Sequence, residues 1–302
     1  MSRRVRWLLT ILCLVFLACA LPAHRAGFTI AWRPLLVQAG IVLLLVATRH
    51  VYARLERAPR LQSTLEVSAF SIVLSSSFTF AMHVALRHGS GFADASLTRL
   101  DAALGIDVPA LVHFSAAHPR IDQVLGAVYE SLRAVSVLAL LLSALAGRAE
   151  WACELLVSLA ICAVLSLLVL VRVRAVGPWV FGEFTPSHAQ ASCEAALRAI
   201  DRGAPLVIDV TRSAPLIAFP SWHVMLCVLA AVTIGKFRYA AVPALCWAVL
   251  VSLSTLTTGW HYAVDVLEGV LLAAVAIAVA KVLLRLPAFE LGSTLSPRTS
   301  EK

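Results

Sequence analysis

Over most of this chain the apolar residues neither alternate at the period of a strand nor keep to one helical stripe. They run on around the whole helix surface, as in "SIVLSSSFTFAMHVAL" and "LLVSLAICAVLSLLVLV". A helix apolar on every side needs an apolar surrounding, and roughly 20 such residues cross a bilayer. Eight runs of this kind are read, near 7–21, 35–53, 65–86, 124–146, 151–171, 220–236, 239–257 and 264–284. They predict an all-α, polytopic membrane protein of about eight transmembrane helices. Pro34 and Pro220 fall where a first helical turn begins, a position at which the missing N–H costs nothing.

The polar breaks set the orientation. Arg3, Arg4 and Arg6, then Arg49, Arg54, Arg57 and Arg60, then Arg148, Lys236 and Arg238, and last Lys281 and Arg285 all fall on one side. Short basic connections stay in the cytoplasm, so both termini are expected at the inner face of a plasma or inner membrane. Two long connections, 87–123 and 172–219, fall on the outer side and mix basic with acidic residues. Their spacing predicts short helices around 97–104, 108–117 and 189–200, and a turn at "VGPW". The start "MSRRVRWLLTILCLVFLACALPA" has the make-up of a signal peptide and equally of an uncleaved first helix, and is counted here as a helix.

Composition agrees with this reading: 60% of the 302 residues are hydrophobic and 14% charged. The formal charge of +8 does not point to nucleic acid, because the arginines are spread between apolar runs as topology determinants. Of seven cysteines, Cys193 alone lies in a polar loop, and no C-x-x-C spacing occurs. They read as small hydrophobes rather than a disulfide or metal framework. His113, His118 and Asp122 match no metal-ligand spacing and read as a solvated loop. Nothing in the pattern specifies an oligomer.

Chemistry concentrates in "FPSWH" (219–223) and "GWHYAVD" (259–265). His261 and Asp265 are four apart, on one helix face, where the carboxylate can accept Nδ1–H and leave Nε2 with a free lone pair. His223 starts the sixth segment on the same outer side. The helix N-terminus beside it offers unpaired N–H groups to an anion, and Ser221 adds a hydroxyl. A phosphate held there would lie between two histidines. The reaction implied is in-line phosphoryl transfer: His261 attacks phosphorus, Asp265 orients it, and His223 protonates the leaving oxygen. Arg133 lies inside a membrane segment, where a charge at the bilayer centre costs ~2.5–3.5 kcal/mol. It is a candidate phosphate ligand or an ion-pair partner of Glu130; Arg174 and Arg212, with Arg172, flank the site in the second outer loop and are further candidate phosphate ligands. Trp222 and Trp260 read as interfacial aromatics, and Glu268 as a first-turn acid.

"PSWH" followed by "GWHYAVD" resembles the P-S-x-H and H-x-x-x-D motifs of the type 2 phosphatidic acid phosphatase superfamily. "AFPSWH", "YESL", "VGPW" and "LDAALGIDVPALVHFSAAHP" resemble most the branch of inositol phosphorylceramide synthases and their bacterial relatives. The resemblance implies a six-helix core over 65–285, after accessory helices in 1–64 and before a cytoplasmic tail, 286–302. It implies a phosphohistidine mechanism without metal or cofactor, with nucleophile His261, partner Asp265 and general acid His223. The substrate implied is a lipid or polyprenyl phosphate, with water or an alcohol as acceptor. Two superfamily features are missing. "VRAVGPW" carries no K-x-x-x-x-x-x-R-P phosphate clamp, and Ser254-Thr255 stands where a Ser-Arg pair is usual. These departures fit the transferase-like branch. A non-catalytic lipid-binding or transport protein that keeps part of the site is the other class considered.

Overall fold

The computed structural model describes residues 1, 3–181, 183–211 and 216–285. The helices are α1 (Arg3–Ala18), α2 (Ala20–Arg25), α3 (Trp32–Arg54), α4 (Pro59–His88), α5 (Asp94–Ala103), α6 (Val108–Ala117), α7 (Pro119–Leu145), α8 (Ala149–Leu170), α9 (His188–Asp201), α10 (Trp222–Ile234), α11 (Ala241–Thr257) and α12 (Ala263–Arg285). A 3-10 turn, Pro178–Phe181, forms at the expected Gly/Pro turn. Among the described residues six helical spans are long and apolar enough to cross a membrane: Val5–Arg25, Trp32–Arg54, Pro59–His88, Pro119–Leu145, Ala149–Leu170 and Ala263–Arg285. The protein is an all-α polytopic membrane protein.

All eight apolar runs are helical, with three departures. The first run is broken at Cys19 into α1 and α2. The sixth and seventh form the shorter apolar helices α10 and α11, of 13 and 17 residues. Pro220 is not in a first turn: α10 starts at Trp222 with Ser221 as its N-cap, because the Ser221 hydroxyl can accept the Val224 N–H and a proline ring cannot. A pairing that went unread is the two-residue parallel contact of β1 (Thr29–Ile30) with β2 (Val207–Ile208). It joins the chain after α2 to the second long connection.

The centre of the bundle is α4 and α8, whose apolar stretches are 67% and 56% buried. The α3 helix packs on α4 but buries no residue, and Leu43 and Leu44 are 69% and 67% exposed. Apolar surface of that extent is unfavourable in water by ~25 cal/mol per Å² but is at home against lipid tails. A hydrogen bond between Ser76 and Gln38 ties α3 to α4 inside that apolar contact. On the other side α7, α10 and α11 pack around Leu132, Cys227, Ala248 and Val251. The Trp247 indole N–H donates to Ser131 Oγ at 3.0 Å across α11 and α7. Just past the end of α10, Lys236 pairs with Glu154 of α8 at 2.8 Å.

The two long connections close over one end of this bundle. The α5–α6 pair is bent by 80° at its junction, with α5 against α12 and α6 against α11. Each has a local start: Asp107 accepts the Ala110 N–H at 2.9 Å to begin α6, and a reciprocal Ser187–Gln190 capping box begins α9.

Candidate active site

Two chain reversals meet beneath the α5–α6 pair. One is the entry to α10. Ser221 is fully buried and its Oγ accepts the Val224 N–H at 3.3 Å, so the side chain spends one lone pair holding the helix start. The Trp222 and His223 N–H groups head the same first turn, at the positive end of the helix. His223 is half-buried, and its ring stacks on Tyr129 of α7, centroids 4.7 Å apart and planes at 23°.

The other reversal is the turn between α11 and α12. Gly259 takes φ +71°, a conformation L side chains rarely adopt, and a Cβ there would meet the Phe184 ring at 2.7 Å and Val112 at 3.1 Å. The chain then doubles back so that the N–H groups of Trp260 and His261 both donate to the Thr255 carbonyl, at 3.1 and 3.3 Å. His261 emerges 2% exposed, one residue before the N-cap of α12.

The contacts of His261 define its tautomer. Nδ1 lies 2.7 Å from the Ala218 carbonyl oxygen, and a carbonyl can only accept, so Nδ1 carries the proton. Asp265 Oδ2 flanks the same atom at 3.4 Å. Nε2 is therefore the lone-pair atom, and it faces His223 Nδ1 at 3.4 Å. Burial lowers the His261 pKa from 6.5 to about 4, against the opposing pull of the Ala218 carbonyl, so the ring is neutral near pH 7. The expectation that Asp265 takes the Nδ1–H is thus modified. The backbone of the α10 entry makes the shorter contact, and Asp265 Oδ2 makes its own short bond, 2.8 Å, to the Tyr262 N–H. Its other oxygen, Oδ1, is buried with no hydrogen-bond partner among the described residues.

A glycine brings the two reversals together. A Cβ on Gly269 of α12 would lie 3.0 Å from both the Ser221 carbonyl and Val224 Cβ. Only without a side chain can α12 approach the α10 start this closely.

Two further carboxylates hold the turn from α5. Asp101 accepts the N–H groups of Ala263 and Val264 at 2.8 and 2.9 Å, which caps the first turn of α12 from another helix. Asp94 accepts the Val176 and Gly177 N–H groups and the Tyr262 hydroxyl, the last at 3.0 Å. Both are 4% exposed. Burial, with Asp94 adding to it, pushes the Tyr262 hydroxyl pKa upward, so it stays a donor. Sequence reasoning passed over both aspartates. Asp94, Leu97 and Asp101 share the buried face of α5, and two acids on the apolar face of a short helix were the available clue.

The cations divide. Arg133, one turn after Tyr129 on α7, is exposed and pairs with the likewise exposed Glu130 at 3.6 Å. Arg174 is not brought to the histidines. It is 3% exposed, and its guanidinium donates to the carbonyls of Leu86 and Ser90 at 2.9 and 3.0 Å and to Asp201 at 2.6 Å, lying over the Phe92 ring. Those bonds clamp the two long connections together and leave little for a phosphate. Arg172 is exposed, and Arg212 lies outside the described residues, as does the expected tail 286–302. His113 and His118 bond to the carbonyls of Glu183 and Phe114, and Asp122 accepts the Ser115 hydroxyl.

No curated protein and no solved structure matches the chain. The family model described as PAP2 superfamily matches residues 95–279, from α5 through most of α12 and across both histidine reversals, and this chain belongs to that superfamily.

Proposed function

We propose that the protein is a membrane phosphatase or phosphotransferase that works on a lipid phosphate through a phosphohistidine at His261. Superfamily members are generally phosphoric ester hydrolases. The observation that carries the finer reading is the pair of contacts on one imidazole: Nδ1–H on the Ala218 carbonyl, and the unprotonated Nε2 facing His223 Nδ1 at 3.4 Å. In the first step the Nε2 lone pair forms an N–P bond, the P–O bond to the lipid alcohol breaks, and His223 gives its proton to the leaving oxygen. In the second, His223 takes a proton from water or an alcohol acceptor, whose oxygen displaces His261 from phosphorus.

The imidazole becomes cationic as the N–P bond forms. Asp265 stands 3.4 Å from Nδ1 with one oxygen unpartnered, so it gains a counter-charge in the transition state that it lacks in the resting site. The N–H groups at the α10 start, the Ser221 hydroxyl and Arg133 are the proposed phosphate ligands. The basic connections favour an inner location for both termini, which puts this site toward the outer leaflet. The missing Lys/Arg clamp and the "AFPSWH" and "GWHYAVD" wording favour the inositolphosphotransferase-like branch, with a bound alcohol as acceptor.

The test is a trap. Purified protein given radiolabelled phosphatidic acid or a polyprenyl phosphate, with and without inositol or glycerol, should hold an alkali-stable, acid-labile label that His261→Ala abolishes. His261→Ala and His223→Ala should each abolish turnover in folded protein; near wild-type turnover in either sinks the mechanism. Lipid transport in liposomes that survives loss of both histidines would establish the non-catalytic reading instead.

A further inference from the structure

We infer that α5 is the positioning element of the His261 turn, and that Asp101 and Asp94 are its two working residues. The inference rests on His261 being the nucleophile. His261 sits between two fixed points: the carbonyl of Thr255 behind it and the first turn of α12 in front. An N-terminal turn has unpaired N–H groups that must be satisfied. Here Asp265 takes the Tyr262 N–H from within the helix, while the next two are taken from outside by one carboxylate, Asp101, through one bond on each oxygen. The geometry of a planar carboxylate against two successive N–H groups sets both the distance and the rotation of α12 relative to α5.

Asp94 supplies the second restraint, two turns earlier on the same face of α5. It holds the Tyr262 hydroxyl, and so the residue next to His261, while the Val176 and Gly177 N–H groups hold Asp94. Tyr262 is itself 2% exposed and packs with Leu97, Ala175, Ala218 and Phe219. Ala218 is the residue whose carbonyl binds Nδ1. The restraint therefore reaches both the ring-bearing turn and the group that orients the ring. Neither aspartate has a bond to His223 or His261, so each acts through backbone position.

The test uses the full chain in lipid nanodiscs with two independent readouts. Amide hydrogen exchange follows the N–H groups of 262–264, and steady-state kinetics with phosphatidic acid follow kcat and KM separately. Asp101→Ala should lose exchange protection at Ala263 and Val264, and its kcat should fall about 100-fold, the order expected of a nucleophile moved by an ångström. Its KM should stay within about twofold of wild type, since no contact to bound substrate is removed. Asp94→Asn keeps the Oδ1 acceptor used by Gly177 and Tyr262 and should rescue most of the kcat that Asp94→Ala loses. If Asp101→Ala does not fold, Asp101→Asn gives the same reading, because its amide can accept one of the two N–H groups but not both.

Unchanged exchange at 262–264 overturns the inference, and so does changed exchange with wild-type kcat. If wild type forms no phosphohistidine while the exchange arm behaves as stated, the functional reading has failed and the positioning contacts stand.

Discussion

The His261 Nδ1–H is bound by the Ala218 carbonyl at 2.7 Å, while Asp265, the residue four positions on, lies at 3.4 Å from the same atom. In this site a backbone group sets the tautomer, and on the proposed mechanism the carboxylate is left to supply charge. Asp265→Asn should therefore lower kcat by about 10- to 100-fold, the worth of one hydrogen bond to a charged group. It should not reach the ~10⁴-fold loss that follows when a Ser-His-Asp triad loses its carboxylate and the imidazole takes the wrong tautomer. Single-turnover rates of histidine phosphorylation are the measurement, and a loss as deep as that of His261→Ala would refute the division of roles.

Arg133 separates two readings by its partner. As a phosphate ligand, Arg133→Gln should lower kcat/KM roughly 10- to 100-fold, and Glu130→Gln should leave it near or above wild type. An exposed pair serving only itself is worth little, and the two substitutions would then have equal and small effects. Steady-state kinetics on both variants decide.

Gly269 tests the packing that aligns the two reversals. Gly269→Val places atoms where the Ser221 carbonyl and Val224 already stand, 3.0 Å from the would-be Cβ. Overfilling of this kind costs about 1–3 kcal/mol. The thermal midpoint should fall, and kcat should fall with it because His223 is carried away from His261. Gly269→Ala should give a smaller loss of both.

Acid should destabilise the protein through His261. Its folded pKa, about 4, lies below the ordinary 6.5, so between these values the unfolded chain binds a proton that the folded one does not. The contribution is intact above about 6.5 and is lost as pH falls toward 4. Thermal midpoints of wild type and His261→Asn across that window should show a shallower pH slope for the variant, whose amide can still donate to Ala218. Equal slopes would refute the assignment.

The membrane segments, the three short helices of the long connections and the pairing of "FPSWH" with "GWHYAVD" were legible from the chain alone. Each rests on local spacing: a run long enough for a bilayer, a cap followed by helical periodicity, or a histidine and carboxylate four apart. What the chain alone left undecided depends on contacts between distant residues. Ala218 meets His261 across 43 positions, Asp101 meets Ala263 across 162, and Asp94 meets Tyr262 across 168. Arg174 looked like a phosphate ligand because it is a cation in the right loop, and only its burial against Leu86, Ser90 and Asp201 gave it another use. Local pattern determines which groups can do chemistry, since it reflects what a helix can bury by itself. Which hydrogen bonds those groups spend, and which they keep free, is decided when the α5–α6 pair and the 171–221 connection close over the same end of the bundle.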